Sequence, residues 1–300
     1  LKSFMTQCYR QRNLLLMILP GLLVVIVFKY LPIYGILIAF KNYDVAAGIF
    51  NSPWVGLKHF YSFFNNPLSP RLIKNTFLLG IYSLFWSFPA PLILALLLNE
   101  VKNKFFKRSV QSIIYFPHFL SVVIIVGFIK EFTALDGLFN QIISWFGGEP
   151  FPILAKPEYF RTLFIGSGIW QGVGWGTIIY LAALSGVDEV LHEAATIDGA
   201  NRWQRLWHIT WPAIIPATTI LFILSLGSVV GTDFQKIILM YNPNIYETAD
   251  VIDTYVYRQG ILGAQYEYST AVGLMLSVIA FAFVAGGNWI SKKVSETSLW

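Results

Sequence analysis

Leu14-Leu15-Leu16-Met17-Ile18-Leu19-Pro20-Gly21-Leu22-Leu23-Val24-Val25-Ile26-Val27-Phe28-Lys29-Tyr30-Leu31-Pro32-Ile33-Tyr34-Gly35-Ile36-Leu37-Ile38-Ala39-Phe40 is an apolar run broken by a lone ionisable side chain, Lys29. A membrane-crossing helix needs about 20 mostly apolar residues. This run exceeds one bilayer thickness, so it is expected to tilt or to emerge on one side. Lys2, Arg10 and Arg12 precede it, which superficially looks like a signal peptide. The run is too long for one and no small-residue cleavage site follows, so it reads as a retained first membrane helix. The chain opens Leu1-Lys2 without an initiator Met, and a few residues are expected to precede it.

Working outward, further stretches of the same kind lie near Ile73–Leu98, Ser109–Phe128, Thr162–Leu184, Ala213–Phe234 and Ala271–Ile290. The expected fold is an all-α integral membrane protein with six transmembrane helices over residues 14–290. A cytoplasmic segment at 1–13 and a cytoplasmic tail at 291–300 flank it. Composition agrees: 56% of the 300 residues are hydrophobic and 12% charged, about half the charge of a soluble domain. The same numbers exclude disorder. Pro32, Pro89, Pro91 and Pro117 fall inside the expected helices, where neighbouring helices can satisfy the freed carbonyls.

Orientation follows from Lys and Arg in the flanks. With both termini in the cytoplasm, the inner segments carry Lys2, Arg10 and Arg12; Lys102, Lys104, Lys107 and Arg108; Arg202 and Arg205; Lys292 and Lys293. The outer loops, about 41–72, 129–161 and 235–270, are longer and more sparsely basic. The opposite orientation would translocate the short basic loop from Lys102 to Arg108. The net charge of +5 is then a topology signal and a contact with anionic lipid. It does not point to nucleic acid, because the basic residues do not alternate with aromatics on one face. Cys8 is the sole cysteine, which excludes an intrachain disulfide and a thiolate zinc cluster. His59, His118, His192 and His208 fall in different segments, and no metal site is expected.

Several features inside this frame are candidates for function. Trp54-Val55-Gly56-Leu57-Lys58-His59-Phe60, continuing to Tyr61, Phe63 and Phe64, reads as an amphipathic segment on the outer membrane surface. It is an interfacial anchor in the first reading and a docking surface for an external partner in the second. The fourth span carries Gly168, Gly172 and Gly176 at four-residue spacing, with Gly166 and Gly174 interleaved, a stripe that suits close helix packing. Trp170, Gln171 and Trp175 lie on its other faces and are candidates for a sugar path, since pyranose rings stack on aromatics with polar groups at their edges. Lys29 is either a functional charge inside the membrane or a Lys that snorkels or pairs structurally. Asp233 and Gln235, at the expected outer end of the fifth helix, are a gate, a partner for Lys29 or a solvated end. Lys236 and Arg258 are expected near the outer mouth.

The most informative loop, 186–212, lies on the inner side between the fourth and fifth spans. It contains Asp188-Glu189-Val190-Leu191-His192-Glu193-Ala194-Ala195-Thr196-Ile197-Asp198-Gly199-Ala200-Asn201, then Arg202-Trp203-Gln204-Arg205-Leu206-Trp207-His208-Ile209-Thr210-Trp211-Pro212. Two short helices are expected. Asp188 can cap the first, Val190, Ala194 and Ile197 share a face, and Gly199 can take the left-handed conformation that ends it. Pro212 is expected to start the fifth membrane helix. The product is a rigid elbow with a small-residue face at Ala194 and Ala195 and Glu193 at its edge.

Glu193-Ala194-Ala195, Gly199, Ile209 and Trp211-Pro212, at these spacings, resemble the EAA motif of binding-protein-dependent ABC import permeases. Trp211 departs from the Leu usual there. Leu19-Pro20-Gly21, Phe28-Lys29-Tyr30-Leu31-Pro32, Ser52-Pro53-Trp54-Val55-Gly56-Leu57, Tyr241-Asn242-Pro243 and Glu247 through Val256 extend the resemblance to the sugar and polysaccharide branch. Within that branch the chain looks most like permeases for complex oligosaccharides, including alginate. The resemblance implies a type I importer permease fold in the bacterial cytoplasmic membrane. It implies that Glu193, Ala194, Ala195, Asp198 and Gly199 belong to a coupling helix that enters a cleft on a cytoplasmic ATPase. It further implies a second homologous permease, an ATPase dimer, an extracytoplasmic solute-binding protein and an oligosaccharide substrate, acidic or neutral. ATP and Mg would bind the partner ATPase; this chain has no G-x-x-x-x-G-K-[ST] loop.

Other classes fit less well. An enzyme lacks G-x-S-x-G, H-E-x-x-H or paired intramembrane carboxylates to work with. A secondary transporter or channel would need more intramembrane acidic groups or a polar pore. The charge asymmetry yields a direct expectation for Cys8. A membrane-permeant thiol reagent should label it in intact cells and an impermeant one should not; rapid impermeant labelling would reverse the orientation.

Overall fold

The computed structural model describes residues 11–294 and 298–299. Lys2, Cys8 and Arg10, most of the expected segment 1–13 and part of the tail 291–300 lie outside the described residues. What is described is helical, apart from turns and a lone antiparallel bridge between Lys41 and Trp54.

The first span is a single apolar helix, Arg12–Phe40, but it changes winding twice. The α-helix α1 (Arg12–Val25) passes into a π turn (Ile26–Tyr30) and then a 3-10 segment (Leu31–Phe40). The cause is Pro32. A proline inside a helix lacks an N–H and crowds the carbonyl four residues back. The π turn widens the helix just before it, and Leu31 N–H closes onto Ile26 O.

The second span is a continuous helix, Ser69–Asn99, made of α2 (Ser69–Ser87) and α3 (Pro89–Asn99). The third expected span, Ser109–Phe128, is not one helix. α4 (Lys104–Tyr115) runs into a 3-10 turn at Phe116–Phe119, the chain is extended at Leu120 and Ser121, and α5 (Val122–Thr133) restarts. The two arms, Lys104–Phe119 and Val122–Trp145, bend by 99°. Pro117 ends the regular ladder, and the Ser121 side chain accepts from Ile124 N–H to open the next helix. Thus Pro117 is not absorbed within a helix as expected; it marks the break. A short helix, α6 (Leu138–Trp145), follows.

α7 (Pro157–Leu184) contains the fourth span and has 28 residues, about 42 Å at 1.5 Å per residue. The loop helix α8 (Glu189–Ile197) comes next. The fifth span begins earlier and ends sooner than expected, running Arg202–Val229. It comprises α9 (Arg202–Arg205), a π turn (Leu206–Thr210), α10 (Trp211–Leu226) and a 3-10 end (Gly227–Val229). Pro212 therefore does not start this helix. It sits inside a continuous one, just past a π turn in which Trp211 N–H reaches Leu206 O. α11 (Phe234–Met240) is a separate short helix, and α12 (Tyr266–Val294) holds the last span. Among the described residues, four helices are long and apolar enough to cross a membrane, or five with the bent pair counted as one. α7, with its glycines and polar side chains, is long enough but is not among them.

Two compact units can be distinguished: residues to Asn66 with Val256–Met275, and Pro67–Tyr255 with residues from Leu276 on. In the first, no residue in the apolar window of the Arg12–Phe40 helix is buried. At its C-terminal end Phe40 stacks on Trp54 with centroids 5.6 Å apart. His59, buried, places Nε2 2.9 Å from Lys41 O. Trp54, Tyr61 and Phe64 stay exposed, so the expected surface segment is a folded cap with an aromatic outer side.

In the second unit, Leu79, Ile125, Phe160, Phe164 and Ile237 form the main core, and Leu92, Ala95, Tyr180 and Ile214 a second cluster. Glycine sets the closest approaches. A Cβ on Gly80 would sit 1.8 Å from Val229 O, and one on Gly174 would sit 2.0 Å from Ile114 O. Of the expected stripe, Gly176 packs on Pro91, Gly168 faces Lys236 Nζ, and Gly166 and Gly172 meet nothing within 4 Å.

A buried polar knot ties this unit together. Asn75 Nδ2 donates to Glu247 O at 2.9 Å and to Asp250 O at 3.0 Å, while its Oδ1 accepts from Arg161 Nη2 at 3.0 Å. Asp250, fully buried, accepts from Thr254 Oγ1 at 2.8 Å and lies 3.6 Å from Arg71 Nη2. Thr76 Oγ1 accepts from Ile252 N–H at 3.0 Å. Replacing Asn75 by Ala would leave two carbonyls and a guanidinium N–H short of partners, at about 1–3 kcal/mol for each buried group. Asn75→Ala should lower the thermal unfolding midpoint in detergent by far more than Ser62→Ala, whose hydroxyl bonds only its own helix. Equal midpoints would show that the knot does not hold the fold.

Candidate functional site

The loop 186–212 folds as an elbow whose ends are all capped. Asp188 accepts from Val190 N–H at 2.9 Å and so opens α8. α8 closes with Gly199 at φ +81, a conformation that costs a residue with a Cβ roughly 1–2 kcal/mol. Ala200 N–H reaches Ala195 O at 2.8 Å and Gly199 N–H reaches Thr196 O at 3.1 Å, the paired bonds of a Schellman ending. α9 opens with a reciprocal capping box: Gln204 N–H donates to Asn201 Oδ1 at 2.9 Å, and Asn201 N–H donates to Gln204 Oε1 at 2.8 Å. Arg205 Nη1 then reaches back to Thr196 Oγ1 at 2.7 Å and braces α8 against α9.

The caps and the Arg205 brace are all internal to the elbow. Val190, Leu191 and Ile197 are exposed, Ile197 to 87%. Glu193, Ala194, Asp198 and Gly199 are exposed and Ala195 half-buried. Among the described residues, Glu193 makes no hydrogen bond or ion pair. The apolar face that the periodicity predicted is present, and no described residue covers it. Trp203 and Trp207, on the helix that continues from the elbow, are exposed as well.

The other predicted residues do not converge in the same way. Lys29 lies in the first π turn and is exposed. Trp170 is half exposed on α7. Gln171 Nε2 donates to Leu120 O at 3.2 Å, and Trp175 stacks flat on His118, centroids 4.5 Å apart at 5°. Both therefore brace the break after Pro117. His118 was not singled out from sequence, because its partner belongs to a different span. Asp233 is not at the end of the fifth helix: it caps α11, accepting from Lys236 N–H at 3.2 Å. Gln235 is exposed on α11.

Lys236 is not at an open mouth. It is buried, and Nζ donates to Phe164 O at 2.8 Å while lying 4.8 Å from the Phe164 ring centre. Gly168 makes room for it. Burial pushes this ammonium down to about 8, against the opposing pull of Asp233. Arg258 sits half-buried in a π turn, Arg258–Leu262.

Comparison with known proteins bears on the whole chain. Residues 69–296 match the family model described as binding-protein-dependent transport system inner membrane component. Protein LplB of Bacillus subtilis is 45% identical over 99% of this chain and 94% of its own length. The polygalacturonan/rhamnogalacturonan transport system permease protein YteP of the same organism is 44% identical over 100% of this chain and 94% of its own. A solved structure of a bacterial ABC transporter involved in import of the acidic polysaccharide alginate matches with a TM-score of 0.90. It is 39% identical and covers 98% of this chain and 99% of that one. A second structure of a bacterial alginate ABC transporter, in complex with an alginate pentasaccharide-bound periplasmic protein, matches equally well.

Lys236 gives a pH signature. Its folded pKa lies below the value near 10.4 of an unfolded lysine, so between about pH 8 and 10 the unfolded chain binds more protons. Stability should then rise with pH across that window, by up to a few kcal/mol, and the rise should vanish in Lys236→Met. Unfolding midpoints in detergent from pH 7 to 10 measure this; a wild-type profile that Lys236→Met reproduces would show that the buried ammonium is not responsible.

Proposed function

The chain belongs to the family of binding-protein-dependent transport system inner membrane components, and we propose that it is the permease of an importer for acidic oligosaccharides. At the coarser level it is a sugar or oligosaccharide ABC importer permease, a transport subunit of the inner membrane and not itself an enzyme. A solute-binding protein delivers the substrate, a role supported by the periplasmic partner in the related complex. A second homologous permease completes the path, and a dimer of cytoplasmic ATPases, which bind ATP and Mg, drives it. Both termini and the elbow face the cytoplasm, as the distribution of Lys and Arg supports.

The elbow carries this reading. Its caps and the Arg205 brace make it rigid, and its exposed face of Val190, Ala194 and Ile197 with Glu193 at the edge awaits a partner. Rooted in α7 above and α9 and α10 below, it transmits ATPase closure to both helices as a lever. The acidic substrate is supported by two relatives. Alginate is called acidic outright, and polygalacturonan is by its chemistry a polymer of a uronic acid. A polyanion needs compensating cations along its path, since an unpaired carboxylate in a low-dielectric cavity is heavily penalised. Lys29, set in a membrane span, is one such cation.

A cysteine at Ile197, in a chain with Cys8 replaced by Ser, should crosslink to the ATPase. Gly199→Ala should cost roughly 1–2 kcal/mol through its left-handed backbone, and Gly199→Pro should reduce substrate-stimulated ATP hydrolysis to the basal level while membrane insertion persists. Normal transport by Gly199→Pro would refute coupling through the elbow. In the reconstituted complex with its binding protein, uronate oligosaccharides should stimulate hydrolysis more than neutral ones of equal length. Stimulation by neutral sugars alone would refute the acidic substrate.

A further inference from the structure

Away from the elbow, α2 and α7 enclose a groove of about 480 Å³, within the usual range for small-molecule sites. Tyr82 and Trp86 stand one helical turn apart on α2, 41% and 60% exposed. α7 contributes Glu158, Arg161 and Thr162, with Gly166 in the floor. Nothing lies within 4 Å of where a Gly166 Cβ would stand, so the floor is open there.

Arg161 is held for a purpose its own chain does not exhaust. Its Nη2 is fixed on Asn75 Oδ1, and Asn75 is itself locked by the carbonyls of Glu247 and Asp250. Its Nε is buried without an acceptor among the described residues, so only the Nη donors can reach a ligand in the groove. A guanidinium anchored on one side, with donors unspent, is pre-organised for a carboxylate and loses little entropy on binding it. Glu158 is exposed nearby and makes no ion pair with Arg161 among the described residues. It repels a carboxylate and accepts from hydroxyls, so a ligand with both groups is oriented one way round.

We propose that this groove is a subsite for one hexuronate residue of the translocated oligosaccharide. The apolar face of the pyranose stacks on Trp86 and Tyr82, the carboxylate meets Arg161, and ring hydroxyls meet Glu158 and Thr162. The assignment rests on the reading of the chain as an importer of acidic sugars. It moves the principal recognition charge from Lys29, which no described residue holds in place, to Arg161, which three hydrogen bonds position directly or through Asn75.

The test uses the reconstituted transporter with its binding protein, loaded with uronate or neutral oligosaccharides of equal length. Trp86→Ala should raise the concentration of uronate-loaded binding protein needed for half-maximal ATPase stimulation by roughly tenfold. Arg161→Lys keeps the charge but loses the fork, and should weaken uronate stimulation more than neutral. Because Arg161 also serves the fold, a second measurement is independent of it. Cys8 is the sole cysteine, so Tyr82→Cys with Cys8→Ser carries a single thiol. That thiol should react with a small hydrophilic reagent and be protected during turnover by uronates. A thiol unreactive in every state, as when lipid or a neighbouring helix fills the groove, overturns the subsite. So does reactivity that uronates leave unchanged while they still stimulate the wild type, and in that case the importer reading stands. A wild type that answers to neutral sugars alone overturns both.

Discussion

Inside a bilayer no water can take a backbone hydrogen bond, and each unpaired group costs several kcal/mol. Prolines at 20, 32, 89, 91, 117, 212 and 216 set that rule against the apolar helices of this chain. Two of them are handled alike: Pro32 and Pro212 each follow a five-residue π turn, Ile26–Tyr30 and Leu206–Thr210. In both, the residue before the proline closes the wider ring, onto Ile26 O and Leu206 O. Pro117 takes the other course. The helix stops, Ser121 opens the next one, Gln171 donates to Leu120 O, and Trp175 stacks on His118. The bent third span, the long fifth helix and the root of the elbow all follow from how these prolines are accommodated.

The π turn below the elbow has a mechanical side. Pro212 does not separate the elbow loop from the apolar helix, because α9 continues through the π turn into α10 without interruption. α8 is thus joined to the apolar helix both by the Arg205 brace and by one unbroken helical run. Where that helix ends, Val229 lies against Gly80 of α2, and the next turn is tied to Asp253, which accepts from Thr232 Oγ1 at 2.8 Å. Burial pushes the Asp253 carboxyl up, with Thr232 pulling it back.

Charge inside this molecule is used in two ways. Lys236 and Asp250 are structural: buried, hydrogen-bonded and committed to carbonyls or neighbouring hydroxyls. Arg161 is shared between that structural knot and an open groove. The same side chain can then report on the integrity of the outer fold and recognise a ligand, because a guanidinium presents several donors in a fixed plane.

Apolar spans, the elbow and its caps at Asp188 and Gly199 were legible in the residues themselves. Apolar length is a local property, and so are Asp188 before an amphipathic run and Gly199 at its end. The capping box at Asn201 and Gln204 is local too, though it was not foreseen. What local pattern could not give was where helices break or how polar groups pair. Pro117 and Pro212 look alike in sequence, yet one ends a helix beside Gln171 and Trp175 of a distant span and the other is absorbed by a π turn. The glycine stripe on α7 showed that something packs closely, but only the fold decided that Gly174 meets a backbone and Gly168 a lysine. Lys29 drew attention because a charge in an apolar run is visible along the chain. Arg161 did not, because its meaning comes from Asn75, Tyr82 and Trp86, which are near it only in space. Periodicity and capping are written by neighbours in sequence; the pairing of buried polar groups is decided by neighbours that only folding supplies.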